Sequence, residues 1–167
     1  HDFSNQRFRA SATGSLMVDP KSKSETISET TKTYLIEVYI NVMYGRKKEI
    51  ISKAMQKGLM QEEDSLTLLS RVNQLFYKKN EENFKNDWLT GTPDIIHEGM
   101  IRDTKTSWDI FTFFKSKSNS IDRGYYWQLQ SYMDLTGCNA ASLDYCLVNT
   151  PPALIESEKR KWVWNQG

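Results

Sequence analysis

Apolar side chains recur along this chain with two different periods, and those periods predict its elements. Between about Glu29 and Tyr44 the residues Tyr34, Leu35, Val38 and Val42 fall on one helical face, and Gly45 stands where a left-handed cap would stop the helix. From about Lys48 to Tyr77 a longer helical pattern carries Met55, Leu59, Leu66, Leu69 and Phe76 at three- and four-residue steps. Glu62 falls in the middle of that stripe, while Glu63 and Asp64 point away from it. Between Phe84 and Lys105 the period shortens to that of strands. A run around Asp94 to His97, a turn at Glu98-Gly99 and a return over Met100 to Lys105 predict a hairpin. Tyr125 to Thr136 is helical again and ends at Gly137, and Ala141 to Asn149 alternates as a strand until Pro151-Pro152 break it.

The remaining stretches have weaker signals. RFRASATGSLM, from Arg7, reads as a short helix capped by Ser11 that carries Leu16 and Met17 inward and offers backbone donors to an anion. DPKSKSETISE, from Asp19, is a polar connector without an apolar period. SWDIFTFF, from Ser107, is aromatic and ambiguous; its Trp108, Phe111, Phe113 and Phe114 suit core packing first and base stacking second. KSKSNSIDRG, from Lys115, reads as a loop, and no closing element is evident after Lys159-Arg160-Lys161-Trp162.

A length of 167 residues predicts one domain spanning the chain, with both termini open to being incomplete. Hydrophobic residues at 38% and aromatics at 12% exclude disorder as the default state. Cys138 and Cys146, separated by seven residues, are too few for a four-cysteine zinc or iron-sulfur site and predict free thiols in a reducing compartment. No apolar run approaches the roughly 20 residues of a bilayer span, so no membrane association is expected; the expected location is the cytoplasm, of the host cell if the source is viral. The balance of 22 basic and 21 acidic residues means that any phosphate-binding surface has to be local.

Against that background one spacing carries chemistry. In a strand, Asp103 and Lys105 point the same way, with the Thr104 carbonyl between them available as a ligand. The hairpin can bring Asp94 beside them, and paired carboxylates suit a hard divalent cation, Mg²⁺ with Mn²⁺ as a substitute. Taken singly, Asp94 after Thr92-Pro93 also reads as a turn residue, and Asp103 with Lys105 as a solvent-facing strand pair. Glu62 weighs against that plainer reading, because a carboxylate on an apolar stripe needs a partner, a proton or a metal. Gln128 and Tyr132, one turn apart on the apolar side of the last predicted helix, want partners in the same way.

Gly58-Leu-Met-Gln-Glu62, Gly91-Thr-Pro-Asp94, Asp103-Thr-Lys105 and Gln128 with Tyr132 follow one another in the order helix, hairpin, helix. In that series the chain resembles the PD-(D/E)XK nuclease superfamily, and within it the lambda-exonuclease and YqaJ-type (RecB-like) recombination exonucleases, from Arg9 to about Thr150. The core motif has Asp where many members have Glu, which keeps the ligand chemistry. The resemblance implies a three-layer α/β, restriction-endonuclease-like fold with a central mixed sheet flanked by helices. It implies a metal-dependent DNA exonuclease acting on linear duplex from the 5′ end in phage-type recombination. Glu62, Asp94, Asp103 and the Thr104 carbonyl would hold the metal. Lys105 would orient or deprotonate water or stabilise negative charge, and Gln128 would orient water or Lys105. Arg7, Arg9, Ser11, Thr92 and Tyr132 would face the substrate, the first three at a terminal phosphate. A single-strand annealing recombinase and a homo-trimer are the implied partners. An endonuclease on the same fold and an inactive DNA-binding or assembly protein are the competing readings, and the complete acid set argues against the latter.

Overall fold

The computed structural model describes residues 3–48, 51–118 and 120–164. In chain order they form β1 (Phe8–Arg9), a 3-10 turn (Ala10–Ala12), α1 (Thr13–Leu16), α2 (Glu29–Tyr44), α3 (Lys53–Met60), α4 (Glu62–Asn73), β2 (Phe84–Lys85) and β3 (Leu89–Gly91). There follow β4 (Ile95–His97), β5 (Met100–Thr106), α5 (Ile110–Ser118), α6 (Arg123–Thr136), β6 (Ala140–Cys146) and α7 (Pro152–Trp164). The class is α/β with mixed sheets and flanking helices, as the resemblance implies. Among the described residues no helix is long and apolar enough to cross a membrane.

Where glycine punctuates the pattern, the expected elements form. Helix α2 begins at Ser28, whose Oγ accepts from Thr31 N at 3.1 Å, and ends at Gly45, left-handed at φ 62. Helix α6 ends the same way at Gly137, φ 74. Glu98 and Gly99 take φ 49 and 75, the two-residue turn whose twist suits a hairpin, and register Ile95 with Arg102, Ile96 with Ile101 and His97 with Met100.

Contacts divide the chain into two compact units, and the division falls within β5, between Arg102 and Asp103, and within β6, between Ser142 and Leu143. The first unit comprises residues 1–50, 80–102 and 120–142. It contains a sheet of order β1-β3-β2, with β1 parallel and β2 antiparallel to β3. Helix α6 packs on α1, the 3-10 turn and β3. The approach is close because it is made of backbone: a Cβ on Gly14 would sit 2.5 Å from the Gly124 Cα. The second sheet has the order β4-β5-β6.

The second unit, residues 51–79, 103–119 and 143–167, departs from the expected pattern. The single helix expected from Lys48 to Tyr77 is two, broken at Gln61, whose Nε2 donates to the Asn149 carbonyl at 2.7 Å. The inward stripe is Lys57, Gln61, Ser65 and Leu69, at four-residue steps and mostly polar. Met55, Leu59 and Phe76, read as core, are exposed. Ser65 Oγ hydrogen-bonds Thr106 Oγ1 at 2.8 Å and its carbonyl meets the buried Cys146 thiol at 3.6 Å, while Ser107 N donates to the Cys146 carbonyl at 2.8 Å. The IFTFF of the aromatic segment and the start of the expected loop after it form α5, opened by reciprocal bonds of 2.7 and 3.0 Å between Asp109 and Thr112. The strand expected before Pro151-Pro152 ends at Cys146, and Pro152 opens α7, since a first-turn proline lacks only a donor that a helix leaves unused. Leu154 is buried there, and Lys53 reaches Ser157 Oγ at 2.6 Å and pairs with Glu158.

Lys57 is 1% exposed, and its Nζ donates to the Trp108 carbonyl at 2.9 Å. Burial holds its pKa below the usual 10.5, with Asp109 partly opposing. The unfolded chain therefore binds the extra proton in the window below 10.5, and this group's contribution to stability rises with pH across it. In urea unfolding from about neutral pH to 10.5, wild type should gain stability relative to Lys57→Met as pH increases; parallel profiles would exclude a strained charge at this position.

Candidate active site

Strand β5 buries Ile101 and Asp103 on the same face, as two-residue alternation requires. Asp103 is 1% exposed, so its charge needs compensation, and Lys105, next along that face, places Nζ 2.5 Å from Asp103 Oδ2. The Asp-x-Lys pair is thus a buried ion pair with its ammonium partly open to solvent, not a solvated strand pair. Thr104 lies between them, half-buried.

Glu62 belongs to the same unit and has a different setting from the one expected. The break at Gln61 makes it the first residue of α4, where its charge and those of Glu63 and Asp64 suit the helix N-terminus. It is half-buried, not central to an apolar stripe, and pairs with Lys79 Nζ at 3.1 Å. Glu63 and Asp64 are exposed, as expected.

The other site residues lie in the first unit. Asp94 is half-buried and follows the buried Pro93; its carbonyl accepts from Asn80 N at 2.7 Å, and the Asn80 side chain holds the Pro93 carbonyl at 2.9 Å. It directly precedes Ile95, the register partner of Arg102. Gln128 and Tyr132 are buried on α6, with Gln128 Nε2 donating to Tyr132 Oη at 3.0 Å. Tyr132 bears on the Gly91-Thr-Pro-Asp94 segment directly: a Cβ on Gly91 would lie 2.8 Å from both its Cε1 and the Ala10 Cβ. Thr92 is exposed, and its Oγ1 accepts from Asn83 Nδ2 at 3.0 Å, which leaves its O–H to donate elsewhere.

At the N-terminal segment the structure separates what the sequence grouped. Arg7 and Arg9 line a cavity of about 360 Å³ against α2, together with Gln6, Tyr34, Glu37, Val38, Asn41, Lys47 and Lys48. Arg7 Nε is fixed on the Asn86 carbonyl at 2.5 Å. Burial raises the Tyr34 phenol pKa above its usual range against the pull of Arg9. Ser11 is not in that wall. It lies exposed within the 3-10 turn and caps nothing, since Arg9 and Ala12 occupy the cap positions without side-chain bonds, and Met17, expected inward, is exposed. Helix α1 spans four residues, too short to gather the aligned donors of an anion site. Sequence reasoning missed Lys47 and Lys48, whose signal was the basic run after the Gly45 cap.

Among the described residues no group of three or more His, Cys, Asp or Glu side chains is gathered to hold a metal. The donors fit a hard cation in kind, since carboxylate and carbonyl oxygens are what Mg²⁺ takes. Asp103 and Glu62 each pair with an ammonium group, Lys105 and Lys79 respectively.

The chain is similar to a phage-related exonuclease from Haemophilus somnus 129PT at 31% identity and a TM-score of 0.78, over 90% of this chain and 72% of that one. An alkaline exonuclease from Laribacter hongkongensis shares the fold at 15% identity and a TM-score of 0.70, over 90% of this chain and 74% of that one. The same enzyme in complex with dAMP gives 17% and 0.64, over 87% and 71%. No protein-family model and no curated protein matches the chain.

The Gly91 contact yields a measurable consequence. Gly91→Ala should cost about 1–3 kcal/mol by displacing Tyr132 or Ala10, read as a lowered urea midpoint at unchanged slope. Gly58→Ala, where an added Cβ meets nothing within 4 Å in helix α3, should be neutral or stabilising. Equal midpoints for the two variants would show that Tyr132 does not depend on this contact.

Proposed function

The chain belongs to the phage-type exonuclease family of PD-(D/E)XK nucleases, and from that premise we propose that it hydrolyses linear duplex DNA from the 5′ end in a divalent-metal-dependent reaction. One observation carries the reading beyond the family. Asp103 is held inside the protein with Lys105 as its counter-charge, on a strand that leaves the ammonium partly accessible. A carboxylate buried for stability alone would be better replaced by an apolar side chain.

The donor set proposed for the cation is Asp94, Asp103, Glu62 and the Thr104 carbonyl. When bound, Mg²⁺ supplies a more acidic water and charge relief at the scissile phosphate. Glu62 and Asp103, paired with Lys79 and Lys105 in the structure, would be the carboxylates that hold it, with the ammonium groups as their counter-charges in its absence. The Lys105 ammonium, already paired with a carboxylate, suits stabilisation of the charge that develops on the nonbridging oxygens better than removal of a proton. Gln128, tied to Tyr132, orients groups from α6 without taking part in proton transfer. In phage-type recombination such resection would supply single strands to an annealing recombinase.

Hydrolysis of linear duplex should require Mg²⁺ or Mn²⁺ and stop in excess EDTA, while covalently closed circles survive. Asp103→Asn should lower the rate by at least about a hundredfold while retaining a cooperative unfolding transition, because the shape is kept and the ligand charge lost. Full activity of that variant, or of wild type in EDTA, would remove Asp103 or the metal from the mechanism.

The terminal phosphate is proposed to lie on Arg7 and Arg9, as a charge-assisted contact in their cationic cavity. Duplex with a 5′-phosphate should then be degraded faster than duplex with a 5′-hydroxyl. That ratio should fall toward one in Arg9→Ala, whose side chain is the more exposed of the two. A ratio unchanged in Arg7→Ala and Arg9→Ala alike would place the phosphate elsewhere, with Thr92 the next position to vary.

A further inference from the structure

The cationic cavity does not end at its cations. Gln6 and Val38, two of its walls, also line a second cavity of about 590 Å³ formed by Phe3, Phe8, Leu35, Tyr39 and Trp88, all within the same unit. This second cavity is apolar and aromatic. The Phe3 and Tyr39 rings lie parallel with centroids 6.0 Å apart, and Trp88 stands at the wall 72% exposed. That much exposure is not what core packing requires of an indole. Its backbone is firmly set, since Trp88 N donates to Asn86 Oδ1 at 2.9 Å and its carbonyl accepts from Phe8 N at 2.8 Å. Asn86 also fixes Arg7, through its carbonyl, so one residue holds a member of each cavity.

Next door, Arg7, Arg9, Lys47 and Lys48 outweigh the single carboxylate of Glu37, which lies 3.9 Å from Lys48 Nζ. A polyanion is thus attracted on one side of Val38 and a flat apolar group on the other. Unpaired DNA has both, a charged backbone and bases with two stacking faces, and proteins that hold single strands combine these features.

We propose that the two cavities form one cradle for an unpaired DNA end, with the phosphates on Arg7, Arg9, Lys47 and Lys48 and a base stacked at Trp88. The choice of DNA as the polyanion rests on the exonuclease reading above. Held this way, the terminal nucleotide is unstacked from its duplex by binding alone, before any bond is cut.

The test is binding of a short, fluorescently labelled single-stranded oligodeoxynucleotide with a 5′-phosphate, measured by anisotropy in EDTA so that no turnover contributes. An otherwise identical strand with abasic terminal positions should bind at least about fivefold more weakly. Trp88→Ala should weaken the normal strand by a similar factor and leave the abasic strand unchanged, and Trp88→Phe should restore most of the loss. Lys47→Gln with Lys48→Gln should reduce the slope of log affinity against log salt by about 1.4, for two lost phosphate contacts. Equal affinity for normal and abasic strands, or Trp88→Ala without effect, would overturn the cradle. So would self-association of the protein that Trp88→Ala abolishes while the oligonucleotide fails to bind, which would assign the groove to a second copy. Base-dependent binding without hydrolysis in Mg²⁺ would sustain the cradle and remove the exonuclease reading; hydrolysis without base dependence would do the reverse.

Discussion

A carboxylate excluded from water, on the same strand face as Ile101, is the constraint around which the candidate active site is organised. Asp103 cannot stay charged there without a positive partner, and the partner is two residues away on the same strand, where alternation puts it without help from any distant element. Such a pair adds little net stability, because the Coulombic gain roughly repays desolvation. What the pair does is hold the carboxylate dehydrated and fixed while its ammonium stays partly exposed. Glu62 repeats the arrangement in a wetter setting with Lys79.

The parts of the fold that were legible in the sequence are those whose ends are set by local chemistry. Gly45, Gly99 and Gly137 all adopt positive φ, and each ends an element where the pattern said it would. The Asp103 and Lys105 face followed from period alone. Helices α3 and α4 were not legible as two because their inward stripe is Lys57, Gln61, Ser65 and Leu69, and polar residues there leave no apolar period to read. The apolar residues that made the apparent stripe, Met55, Leu59 and Phe76, face outward. Glu62 was therefore singled out for an apolar setting that the structure does not give it, since it opens α4 half-buried beside Lys79. Helix α5 carries Phe111 and Phe114 on its exposed side, which erased its amphipathic signal.

Ser11 shows a different limit. Its place in a short motif resembling a phosphate-binding segment put it with Arg7 and Arg9, yet the 3-10 turn that starts at Ala10 takes it out of the cavity those arginines line. A tight helical turn rotates successive side chains by about a third of a circle, so a neighbour two residues on no longer shares the direction that a strand would have given it. Lys47 and Lys48 reach that cavity from a distant part of the chain because helix α2 ends beside it, a proximity that no sequence spacing encodes.

The turn at Glu98-Gly99 has a kinetic consequence. The ladder it closes, from Ile95 to Arg102, pairs residues no more than seven apart in sequence, and hairpins of this kind form in about 1–10 μs, well before contacts that wait on large loop closures. The strand that carries Asp103 is thus among the earliest parts of the chain able to find its register. The buried acid enters the fold on a strand whose pairing is already templated, so the order of assembly, and not only its end point, protects against the carboxylate being buried on the wrong face.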